Sequence, residues 1–190
     1  MNNGEKKGQR RKIAVTAVAA ALLLLLYSMI FRFSAQDAEA SGSLSQFFSE
    51  KCVKILDSLS GAGWSDGKRL ELAAYFEHPI RKLAHFSEYA CMGVLVYTLW
   101  SQWLKRGRKL CLLTAGWVFL SAACDEFHQY FVPGRYASFA DVLLDTCGGI
   151  FGMLFCICIA ALYRRRLERR GRKQAKEARM TSNKSRGKRQ

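Results

Sequence analysis

Apolar and polar stretches alternate along this 190-residue chain in a pattern of four long apolar runs. The first, Ile13 to Phe31, is 19 residues without a charge. As a helix rising about 1.5 Å per residue it covers about 28 Å, close to the ~30 Å hydrocarbon core of a bilayer. The others span about 80–103, 110–130 and 138–163, and each predicts a membrane-crossing helix. Between the first two runs, Leu44, Phe47, Phe48, Cys52, Ile55, Leu56 and Leu59 recur at helical spacing, with Ser49, Glu50, Lys54 and Asp57 on the opposite face. That periodicity predicts an amphipathic helix, ended by Gly61 and Gly63, that either lies on the membrane or caps the spans, or else packs on the domain as a plain solvent-side helix. Asp66-Gly67 opens a second, short helix expected to run through Phe76 and stop at Pro79. The expected fold class is all-α: an integral membrane four-helix bundle over residues 13–163, with an extracytoplasmic amphipathic-helix loop.

Charge adds the topology. Lys6, Lys7, Arg10, Arg11 and Lys12 oppose only Glu5 in residues 1–12, and Lys105, Arg106, Arg108 and Lys109 surround Gly107 in the short connection between the second and third runs. Residues 164–190 hold thirteen basic residues and two acidic ones. Basic loops stay in the cytoplasm, so four spans put all three clusters and both termini there, with 32–80 and 131–137 outside. A small-residue triplet, Ala38-Glu39-Ala40, offers a signal-peptide site, but the preceding apolar run is longer than such a segment and ends well before it. An uncleaved anchor in a multi-pass protein of the cell membrane is expected. The tail is expected to begin helical and fray into disorder, and to hold anionic lipid at about 1 kcal/mol per basic residue near the surface. It has no aromatic interleaving and no folded module, so nucleic acid is not an expected partner. Six of the seven cysteines lie in the apolar runs, and they are expected to be small buried hydrophobes.

Polar residues inside the spans carry the functional expectation, because ionisable groups there are costly and need partners. Arg81, His85 and Glu88 follow at i, i+4 and i+7, with Lys82 and Tyr89 on a neighbouring line. Asp125, Glu126, His128 and Gln129 close the third run, and Pro133-Gly134 reads as a tight turn before Arg135. Asp141 and Asp145 stand one turn apart at the start of the fourth. Counted from the outer boundary, all three sets fall within roughly 10–15 Å. Gly148 and Gly152, four apart, signal a close helix approach. Arg81, Lys82, Tyr89, Gln129, Arg135 and Asp141 are candidates for ligand binding. His85, Glu88, Asp125, Glu126 and His128 are candidates for acid–base work. Arg81 is expected to pair with one of the carboxylates, Asp125 first. No cofactor is expected, although His85, Glu88, Asp125 and His128 are chemically able to ligate a metal.

Arg81-Lys82-x-x-His85-Phe86-x-Glu88-Tyr89, Asp125-Glu126-Phe-His128-Gln129 with Pro133-Gly134-Arg135, and Ser138-x-x-Asp141 with Asp145 and Gly148 are together similar to the VanZ-like family. Phe33-Ser34-x-Gln36 adds to the resemblance, and Asp145 departs from it, since the family commonly has asparagine there. The resemblance implies a bacterial multi-pass envelope protein linked, through its namesake, to resistance to teicoplanin, a lipid-tailed glycopeptide antibiotic. The leading expectation is recognition of a lipid-linked envelope precursor or lipoglycopeptide in an outward-facing polar pocket. Two alternatives stand beside it: an intramembrane enzyme acting on a lipid head group or phosphate, and a structural or partner-binding membrane subunit.

Overall fold

The computed structural model describes residues 2–186, which form five helices and no strand: α1 Asn3–Ser34, α2 Ala38–Ser60, α3 Asp66–Ser101, α4 Arg108–Gln129 and α5 Phe139–Arg186. Among the described residues three helices are long and apolar enough to cross a membrane: Asn3–Ser34, Arg108–Gln129 and Phe139–Arg172. The chain divides into two compact units between Met153 and Leu154.

In the first unit, Leu23 and Ile30 of α1, Tyr89, Met92 and Val96 of α3, Val118 and Ala122 of α4 and Val142 of α5 make one buried cluster. Outside it the helices carry apolar residues on open surface, such as Val18, Leu24, Leu112 and Leu120. Apolar side chains on both the inner and the outer face are the mark of helices solvated by lipid. Cys91, Cys124 and Cys147 share that outer surface, so the expectation of buried cysteines fails. A thiol is small and apolar enough to face hydrocarbon as readily as a core.

Two glycines permit the closest helix contact. Gly148 and Gly152 of α5 lie directly against the backbones of Phe86 and Ala90 of α3. Gly93 of α3 also lies against the backbone of Gly149, which falls between these two glycines on α5. The small-residue spacing thus does what its sequence period implies.

α2 folds back along the first half of α3. Gly61, in the left-handed region at φ 65°, ends α2. Asp57 then accepts the Trp64 N–H at 3.0 Å and the Arg69 guanidinium at 2.6–2.8 Å, which ties the connection shut. The backbone bond from Trp64, with the Arg69 contact added, holds the Asp57 carboxyl below the usual carboxylate range against the opposing effect of burial. Along the hairpin, Ser49 donates to the Ala73 carbonyl at 2.6 Å.

The expected break at Pro79 is absent. α3 is one helix of 36 residues with Pro79 inside it. Proline removes one donor and crowds the preceding turn at a cost of ~3 kcal/mol. Contacts with α2 at Ala73 and Glu77 before Pro79, and with α1 and α4 at Tyr89, Met92 and Val96 after it, carry the helix through.

The second unit continues α5 from Leu154. Leu154, Phe155, Ile159, Leu162 and Tyr163 are exposed, and the basic residues begin at Arg164. Among the described residues the helix runs to Arg186.

Candidate polar pocket and its neighbours

Three elements of the first unit build the central pocket. α3 supplies His78, Arg81, Lys82 and His85; the end of α4 and its turn supply Glu126, Gln129, Gly134, Arg135 and Tyr136; α5 supplies Asp141, Leu144 and Asp145. The cavity holds about 240 Å³. The turn forms as its residues dictate: the Arg135 N–H bonds to the Val132 carbonyl at 3.1 Å, and Gly134 takes φ 75°. Only glycine adopts that conformation without strain, as position i+2 of a type II turn requires.

The cations around this pocket are held by specific partners. Lys82 donates to Asp141 at 2.8 Å. Arg135 donates to the Ser34 carbonyl at 3.2 Å and to the Ser41 hydroxyl at 2.8 Å, which ties the turn to the end of α1 and the start of α2. Burial lowers the pKa of Arg135 from the usual arginine value. Arg81 pairs with Glu77, one helical turn before it, and the same carboxylate accepts from Ser45 of α2. Burial would raise the Glu77 pKa, but the bonds from Ser45 and Arg81 outweigh it and hold the carboxyl low. The expected Arg81–Asp125 pair is therefore not formed. Glu77 lies between Phe76, where the sequence ended a short helix, and Pro79, which hid it as a partner one turn away.

On the acidic side, Glu126 accepts the Ser138 N–H at 2.9 Å and so caps the entry to α5. Gln129 donates to Asp125 at 3.0 Å and to Ser34 at 3.3 Å. His85, Asp125 and Asp145 each bring one ligand-type atom within 4.8 Å of the other two. Asp145 is 1% exposed and its Oδ1 has no hydrogen-bond partner.

A second cavity of about 210 Å³ adjoins the first and shares Arg81, His85 and Arg135 with it. Its remaining walls are mostly apolar: Phe33, Leu44, Phe48, Ile80 and Ala84, with Gln36, Ser41, Ser45 and Glu88. A third, of about 470 Å³, is a side groove between α1, α3 and α4, lined by Tyr27, Ile30, Phe31, Tyr89, Trp117, Asp125 and His128 among others.

The expected site residues are thus sorted rather than pooled. Arg81, Lys82, His85, Glu126, Gln129, Arg135 and Asp141 line the polar pocket, and Glu88 lines the apolar one, 3.8 Å from His85. Tyr89 and His128 face the side groove, where the His128 ring stacks on Phe31 at 4.8 Å. Of the four residues that sequence marked as able to ligate a metal, His85 and Asp125 have ligand-type atoms close together, and the third member of that cluster is Asp145. His78 was missed because it precedes the proline taken as a helix end, and Ser41 and Ser45 because serines carry little signal. Phe33, Ser34 and Gln36 were marked only by the resemblance.

The family model described as VanZ/LLP1 matches residues 19–161, well over half of the chain and the whole of the region that forms these cavities. No curated protein and no solved structure matches the chain.

Proposed function

The chain belongs to the VanZ/LLP1 family, and from that premise we propose that it binds a lipid-linked or lipid-tailed polar molecule at the outer face of the membrane and thereby lowers susceptibility to teicoplanin-type antibiotics. One observation carries the reading: a charged pocket and a mostly apolar pocket share the wall Arg81, His85 and Arg135. A molecule with an anionic head and an acyl chain fits such a pair. The arginines offer forked donors to a phosphate or carboxylate, and Phe33, Leu44 and Phe48 offer apolar surface to the chain. The exposed apolar residues of α2, among them Phe47, Ile55 and Leu59, extend that surface toward the membrane.

In this reading α3 crosses the membrane from about Ile80 as a fourth span, both termini are cytoplasmic, and α2 lies outside. The three basic clusters support the orientation, and the basic residues after Tyr163 sit where anionic lipid head groups would meet them.

Expression in a susceptible host tests the function. Teicoplanin and its deacylated core are compared, with protein level measured in the membrane. The expected result is a raised inhibitory concentration for the acylated compound alone, abolished by Arg135→Met at normal protein level. Equal protection against both compounds would remove the tail from the recognition. Protection unchanged by Arg135→Met and by Arg81→Met would remove the pocket.

A further inference from the structure

We propose that His85, Asp125 and Asp145 form a binding site for a first-row divalent metal ion of the zinc type.

The three residues come from α3, α4 and α5, so no single helix's periodicity produces their meeting. Each presents one ligand-type atom, and all three atoms lie within 4.8 Å of one another. Ligands at about 2.1 Å from a tetrahedral zinc stand about 3.4 Å apart, so closure needs only rotamer-scale adjustment. One imidazole nitrogen with two carboxylate oxygens is a donor set that suits zinc and manganese rather than magnesium or copper(I). Three protein ligands leave a position open, as sites that meet a substrate do.

A second, independent observation points to a ligand. Asp145 is 1% exposed, and its Oδ1 is buried without a hydrogen-bond partner. His85 Nδ1 is buried without one as well. Among the described residues neither Asp125 nor Asp145 makes an ion pair, and Asp125 is 9% exposed with one bond, from Gln129. Two adjacent carboxylates in apolar surroundings need a countercharge or must give up ionisation. Two of the three nearby cations are paired elsewhere, Arg81 with Glu77 and Lys82 with Asp141, and Arg135, whose bonds go to the neutral Ser34 carbonyl and Ser41 hydroxyl, is a single positive charge against two carboxylates. A divalent ion bound among the three would neutralise the carboxylate pair and offer a partner to a side chain that has an unsatisfied buried oxygen. Gln129, donating to Asp125, would orient that ligand in the way outer-shell groups do. Because His85 and Asp145 also line the polar pocket, the ion would face whatever the pocket holds.

The inference does not rest on the lipid reading, and its test needs no lipid ligand. The full chain, purified in detergent with its affinity tag removed, is stripped with chelator and reloaded with Zn²⁺. Bound metal is counted by mass spectrometry, and Co²⁺ is used as an absorbing substitute. The expected result is one equivalent of zinc per chain, with a Co²⁺ d–d spectrum displaced by zinc. Asp145→Asn and Asp125→Asn should each weaken binding at least about tenfold, since even outer-shell losses cost that much. His128→Gln, outside the proposed set, should leave it unchanged. Wild-type protein that takes up neither Zn²⁺ nor Co²⁺ overturns the proposal. Equal binding by wild type and both asparagine variants overturns it, as does loss in His128→Gln to the same degree. Where an asparagine variant does not fold, Asp145→Glu keeps the charge and must shift the Co²⁺ spectrum; an unchanged spectrum counts against the site.

Discussion

The α3–α5 contact predicts that the same substitution, glycine to alanine, has opposite signs at two positions. Gly116 on α4 has open space where a Cβ would go, with nothing within 4 Å. Alanine there should stabilise by up to about 1 kcal/mol, the helix propensity difference. At Gly93 the new methyl would lie 2.9 Å from the Gly149 Cα and closer still to its carbonyl carbon and oxygen. At Gly152 it would lie 3.1 Å from the Ala90 Cα and 2.8 Å from its carbonyl carbon. Ordinary carbon contacts are about 3.5–4.0 Å, so each change demands a separation of the two backbones by roughly 1 Å. Neither neighbour is a flexible side chain, so rotamer relief is closed. Overpacking of this kind costs about 1–3 kcal/mol, which exceeds the propensity gain and leaves a net loss of up to about 2 kcal/mol. The double variant Gly93→Ala with Gly152→Ala should lose less than the sum, because one separation of the helices relieves both clashes. Thermal unfolding in one detergent, with Gly116→Ala beside the others, measures the difference. Equal melting temperatures for Gly116→Ala and Gly152→Ala would refute the close contact.

Two further outcomes follow. Lys82 and Asp141, 2.8 Å apart but 40% and 32% exposed, form a pair of modest energetic weight; Lys82→Met with Asp141→Asn should change stability by less than about 1 kcal/mol while abolishing antibiotic protection, and retained protection would return the pair to a purely structural role. Reporter fusions after Gln36, Lys105, Pro133 and Arg170 should read out, in, out and in; a cytoplasmic reading at Pro133 would sink the four-span topology and the outer position of the pocket with it.

Much of this architecture was legible because its causes are local. The absence of charge from Ile13 to Phe31 gave α1, and the apolar spacing from Leu44 to Leu59 gave α2 with its end at Gly61. Pro133-Gly134 gave the turn through the φ that only glycine takes easily. Pro79 misled because a local rule met a tertiary one: α3 is gripped on both sides of the proline, and packing overrides the missing donor. The same error removed His78 and Glu77 from the site, since both fell between the expected helix end at Phe76 and Pro79. The cysteines misled because the inference from an apolar run to a buried position assumes water outside, and these helices carry an apolar surface on both sides.

The membership of the site was partly legible for a further geometric reason. A rise of 1.5 Å per residue converts sequence position into depth, so Arg81, Lys82, His85, Gln129, Arg135 and Asp141 were found as residues at one level, and the structure brings these six to one cavity. Depth says nothing about how each helix is rotated about its axis. Rotation is what separates His128 and Tyr89, turned to the side groove, from Glu126 and Gln129, turned to the pocket. It is also what brings Asp145 to His85 and Asp125. On α5 the rotation is fixed by the glycines: Gly148 and Gly152 must face Phe86 and Ala90 because no other residue fits there. Asp145 is three residues before Gly148, on the same side of the helix, so the face that meets α3 carries the aspartate toward His85, one residue before Phe86. The glycine spacing and the polar cluster are one constraint, and a methyl added at Gly148 should displace Asp145 as well as loosen the helices.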